Sequence, residues 1–127
     1  MKAIANDPRL RAVFLADRRG AGGLVPVHFM RSLFAARPAV EPEAFDVCPV
    51  LLAHPAEDAW TTVDASRLLF DRLGVRKDLV MLENCGHFPI EEPGVSVLRD
   101  AAIRFVGRIV SDAGEATTLG KELKADV

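Results

Sequence analysis

Cys48-Pro49-Val50-Leu51-Leu52-Ala53 and Asp78-Leu79-Val80-Met81-Leu82-Glu83 are two short apolar runs with one helix-forming stretch between them. A run without alternation suits a strand covered on both faces, as in a parallel sheet. Between the runs, Thr62 reads as a cap for a helix from Val63 to Leu73. Asp64 lies in its first turn and Gly74 just past its end. Ala65, Leu68, Leu69 and Leu73 are its expected inward residues. Strand, helix, strand at this length is a βαβ unit with parallel strands, and the fold class is α/β.

Working outward, Pro93 opens a last helix whose Val95, Leu98, Ala102, Phe105 and Ile109 alternate spacings of three and four. From Ser111 onward the chain is polar and small, and reads as a frayed tail. Towards the other end, Asp7-Pro8 reads as a cap and first helical position, with Leu10, Val13 and Phe14 on one face. Arg19-Gly20-Ala21-Gly22-Gly23 breaks this helix. A second helix starts near Pro26, with Phe29, Met30, Leu33 and Phe34 as its stripe and His28 at its surface. Arg37 to Asp46 reads as a linker. Three regions follow: two helices and a linker over 1–46, a core over 47–110 and a polar tail over 111–127. Two parallel strands alone make a poor sheet, and strands this apolar expect neighbours. The outer edge of the first strand exposes unpaired amides.

The chain has 127 residues, of which half are hydrophobic, enough for one small packed domain. Its formal net charge of -2 and pI near 5.9 give no global field for nucleic acid or an anionic membrane. No apolar run approaches the ~20 residues of a membrane span. Cys48 and Cys85 make no disulfide framework, and no secretory leader is visible. Both observations fit a reducing cytoplasm.

The chemistry-bearing stretches follow the two strands. Pro49 to Asp58 ends in His54-Pro55-Ala56-Glu57-Asp58, and Leu79 to Pro89 ends in Glu83-Asn84-Cys85-Gly86-His87-Phe88-Pro89. A histidine near neutrality takes and returns a proton, and a carboxylate on its other nitrogen fixes the tautomer. Gly86 permits a tight turn that aims His87. The alternative makes His87 an ordinary loop histidine and Asp58 a helix cap. Trp60 either lines an apolar pocket or anchors its loop. Glu91 and Glu92 favour the start of the last helix. Cys85 as nucleophile and a metal site of His54, Asp58, Cys85 and His87 are remoter readings, and the spacing matches no zinc signature.

From about Cys48 to Ile109 the chain resembles the C-terminal portion of the α/β-hydrolase family, with Asp58 at the acid position and His87 at the histidine position. Pro55 stands where that family often has glycine. The resemblance implies catalytic Asp58 and His87, no cofactor or metal, and a small hydrophobic or acyl carboxylic ester as substrate. Its flavour is similar to the lysophospholipase or monoacylglycerol-lipase branch. The first 36 or so residues resemble the family's cap helices, with Phe14, Phe29, Met30 and Phe34 either over a substrate pocket or packed together.

The elbow G-x-S-x-G or a variant is absent from the sequence, as is an oxyanion-hole loop. Ser32, Ser66 and Ser96 fall on expected helices without elbow glycines, and Ser111 lies near the tail. The expectation is therefore a partial esterase-like hydrolase, inactive alone, completed by a missing N-terminal half, with Met1 an internal methionine of a longer protein. The alternative is a non-enzymatic binding or regulatory module, self-paired through its strand edge.

Overall fold

The computed structural model describes residues 4–19 and 24–125, with side chains of the last helix described as far as Gly114. The expected glycine break at residues 20–23 lies outside the described residues. The helices are α1 (Pro8–Ala16), α2 (Val27–Ala35), α3 (Val63–Phe70) and α4 (Gly94–Ala125). The strands are β1 (Val50–Pro55) and β2 (Lys77–Leu82), and a 3-10 turn covers Pro42–Ala44. Helices and a small parallel sheet together make a mixed α/β fold.

The two strands pair in parallel from Val50 opposite Lys77 to Pro55 opposite Leu82. β1 starts two residues later than its apolar run. Val50 donates its amide to the Arg76 carbonyl at 3.0 Å, whereas Pro49 has no amide to give. The ladder then carries His54 and Pro55 into the strand. β2 likewise starts one residue early, at Lys77. α4 packs against both strands and α3 against β1.

α3 corrects the expected inward face. Leu68, Leu69 and Ala65 are exposed, and Phe70 is the buried residue. Val63, Ser66, Phe70 and Leu73 share the half-buried or buried side, spaced by three and four. α3 also stops at Phe70, where the chain tightens through the Arg72 amide on the Leu69 carbonyl and the Leu73 amide on the Phe70 carbonyl, each at 3.2 Å, and Lys77 Nζ donates to the carbonyls of Phe70 at 2.9 Å, Asp71 at 2.8 Å and Leu73 at 2.7 Å. Thr62 has the extended backbone of a cap but makes no side-chain cap bond. At α1 the reading of Asp7 holds, since its carboxylate accepts from Arg9 N at 2.7 Å.

α4 keeps the expected stripe: Ala101 and Phe105 are buried and Val95, Leu98, Ala102 and Ile109 half-buried. It does not fray at Ser111 but runs on to Ala125. The apolar stripe stops there, yet Ala, Glu, Leu and Lys are strong helix formers and continue the backbone. The linker over Arg37 to Asp46 is tied down at Pro42, which is buried, and by Arg72 bonding Glu41 and Glu43. α2 buries none of its residues.

The tightest packing surrounds the end of β2. Leu82 and Cys85 are fully enclosed, together with Ile4 from the chain's beginning. A Cβ added at Gly94 would lie 1.8 Å from Cys85 Sγ, so only glycine admits this seating of the thiol under α4. Among the described residues no helix is long and apolar enough to cross a membrane.

Candidate active site

Both strands run the same way, so the loops after β1 and β2 leave the sheet at one end. This is where parallel sheets place ligands. The β1 loop carries Asp58 and the β2 loop carries His87. Ala56 N donates to the Leu82 carbonyl at 2.9 Å, and Glu57 N to the Cys85 carbonyl at 3.1 Å. The ladder thus continues past the strands and fixes one loop on the other.

Asp58 Oδ2 lies 2.9 Å from His87 Nδ1. The carboxylate is almost enclosed, its side chain 3 % exposed against 28 % for the ring. Every acceptor position has a donor. Oδ1 takes the amides of Trp60 at 2.8 Å and Thr61 at 3.0 Å, and Oδ2 also takes the Thr61 hydroxyl at 2.8 Å. Asp58 therefore folds its own loop into an Asx-type turn and does not cap α3. Burial pushes its carboxyl upward. The Thr61 amide, the His87 ring, the Trp60 amide and the Thr61 hydroxyl outweigh burial and hold the group well below the usual carboxylate range. A carboxylate kept ionised against the ring favours the tautomer with hydrogen on Nδ1, leaving Nε2 with its lone pair.

Trp60 lies against the ring, centroids 4.8 Å apart, and Phe88 flanks it at 5.4 Å. Phe14 of α1 meets Phe88 edge-on at 5.4 Å. Of the four side chains expected in a cap, Phe14 thus reaches the site's neighbourhood, whereas Phe29, Met30 and Phe34 stand exposed on α2. His28 is exposed as expected.

His54 and Cys85 do not join the pair. His54 is buried, its Nε2 3.1 Å from the Thr61 carbonyl and its Nδ1 3.3 Å from Ser66 Oγ. It braces the acid loop against α3. Cys85 Sγ faces the Glu91 carbonyl at 3.5 Å, and burial raises its thiol pKa, which makes it a poor nucleophile. No cluster of three or more His, Cys, Asp or Glu arranged to hold a metal occurs among the described residues. Ser66 is spent on His54 and Ser96 on Glu92. Among the described residues no hydroxyl or thiol bonds His87 Nε2.

One correction and one addition concern the histidine turn. Gly86 does not supply the unusual backbone; Asn84 does, with φ of 55°, a conformation asparagine tolerates. Gly86 supplies room, since a Cβ there would stand 2.9 Å from Ala5 Cα. Glu91 stands at the start of α4, where its carbonyl accepts the Val95 amide at 2.9 Å, and its side chain has a further role there. It is buried and accepts the Gly86 amide at 2.9 Å and the Asp7 amide. Burial pushes its carboxyl up, and the amides of Gly86, Asp7 and Asn6 pull it below its usual range.

Sequence reasoning passed over Thr61 and the segment Ile4–Asn6. The Asp58-x-x-Thr61 spacing was a visible signal for a turn closed by the acid itself. Ile4–Asn6 carried no signal, since its partners are distant in sequence. Comparison of the chain with family models, with curated proteins and with solved structures yields no match.

Proposed function

We propose that Asp58 and His87 are the acid and base of a nucleophilic hydrolase centre of the α/β-hydrolase kind, acting on a small or acyl carboxylic ester. The observation that carries this reading is the 2.9 Å contact between His87 Nδ1 and a buried, fully hydrogen-bonded Asp58 carboxylate beyond the ends of two parallel strands. In this role Nε2 takes the proton of an attacking hydroxyl as its oxygen bonds the ester carbonyl carbon. Asp58 stabilises the imidazolium, and Nε2 returns the proton to the departing alkoxide. The nucleophile and the donors for the developing oxyanion come from outside the described residues.

Without them the pair has nothing to activate. The 127-residue chain is expected to turn over p-nitrophenyl acetate, or a longer acyl ester, no faster than His87→Ala. Turnover clearly above that control would contradict this division of the centre.

A second reading has its own support. β1 and β2 form a sheet of two strands, each with an open edge among the described residues, and Leu68 and Leu69 are exposed on the helix that packs on β1. These features fit a binding module that completes its sheet with a second copy. A single monodisperse dimer in sedimentation equilibrium would favour it, and a monomer would remove it.

A further inference from the structure

The amides on both sides of His87 are held, and both holds lead to one side chain. Gly86 N donates to Glu91 Oε2 at 2.9 Å, and Phe88 N donates to the Ile4 carbonyl at 2.9 Å. The segment that supplies this carbonyl is itself gripped by Glu91, whose Oε1 accepts the Asp7 amide. Ile4 and Ala5 are each 1 % exposed, and Gly86 has no Cβ where Ala5 passes. The same segment reaches the acid loop, since Asn6 Nδ2 donates to Glu57 Oε2 at 2.7 Å, one residue before Asp58.

We propose that Glu91 is a positioning residue for His87: its buried carboxylate clasps Asn6–Asp7 to the histidine turn and thereby holds the ring on Asp58. The proposal rests on reading His87 as the working base. The chemistry of the clasp requires a carboxylate. Its partners are backbone N–H donors, and an ionised carboxylate is purely an acceptor at both oxygens. Glutamine in its place keeps the shape but turns an NH₂ towards an N–H, leaving one buried amide unpaired. Among the described residues no lysine or arginine pairs with Glu91, and the backbone amides of Gly86 and Asp7 compensate its buried charge.

The test follows the His87 Nδ1 proton by NMR in the ¹⁵N-labelled chain, with the fold checked by circular dichroism. In Glu91→Gln its exchange with water is expected to quicken about tenfold, the loss of one charge-assisted bond. Unchanged exchange in a folded Glu91→Gln would overturn the positioning role alone. Absence of the Nδ1 proton in the unsubstituted chain would overturn the base assignment and the positioning role together. If Glu91→Gln does not fold, Glu91→Asp is read in the same way, because it keeps two acceptor oxygens but draws them back by one methylene from the Gly86 and Asp7 amides. Faster exchange there supports the clasp, and unchanged exchange overturns it.

Discussion

Two buried carboxylates set the electrostatics at the scale of single residues. Asp58 and Glu91 both sit where burial opposes ionisation, and both are nevertheless held below the ordinary range by hydrogen bonds to the charged form. Their folded pKa values therefore lie beneath the unfolded ones, about 3.9 for Asp and about 4.3 for Glu. A group shifted this way contributes stability in full above its unfolded pKa and loses it as pH falls towards the folded value. Urea denaturation is expected to show little change between about pH 7 and about pH 5, then a falling midpoint below about pH 4. In Asp58→Asn the acid fall should be shallower, from a lower starting midpoint. An identical acid slope in that variant would contradict the assignment. The meeting of Asp58 and His87 was legible in the sequence, because each lies in the loop after an apolar run and parallel strands bring those loops to one end. Glu91 was not. A glutamate beside a helix start is ordinarily solvated, and nothing local says that Asn6 and Asp7 arrive from the other end of the chain to bury it.

At the scale of elements, apolar runs located both strands to within two residues, since burial on the sheet is a local property. The face of α3 was misread because leucines at 68 and 69 look like core. The face is chosen by what the neighbours present, and Phe70 rather than Leu69 finds the covered side. The end of α3 depended on a residue from the next strand. Lys77 Nζ donates to the carbonyls of Phe70, Asp71 and Leu73, joining the close of α3 to the opening of β2. Replacing it by methionine keeps the stem but leaves these carbonyls to water. Lys77→Met is expected to destabilise the fold by about 2 kcal/mol, the scale of hydrogen bonds to a charged group. Chemical denaturation checks this, and a change under about 0.5 kcal/mol, the range of a surface substitution, would show the three bonds contribute little. The length of α4 beyond Ser111 was missed for another reason. The amphipathic stripe ends before the helix does, and helix-forming residues together with the Arg76–Asp112 ion pair carry it onward.

Across the whole molecule the site is where distant segments meet. The acid loop, the histidine turn and the segment from Ile4 are joined by backbone bonds and by the carboxylates of Glu57, Asp58 and Glu91, while α2 lies exposed and, among the described residues, the sheet keeps open edges. The part of the fold that is well enclosed is thus the part that sets Asp58 against His87. Pairing of loops after parallel strands was expected from the βαβ order, whereas the contribution of residues 4–7 arises only in three dimensions. This enclosure is expected to hold the His87 ring on Asp58 with hydrogen on Nδ1 and the lone pair on Nε2. The ¹⁵N shifts of the His87 ring at neutral to mildly alkaline pH test it most directly. Nδ1 is expected to be protonated and Nε2 unprotonated, with that preference weakened in Asp58→Asn. A ring protonated on Nε2, with Nδ1 accepting from Thr61 Oγ1, 3.5 Å away, would contradict it.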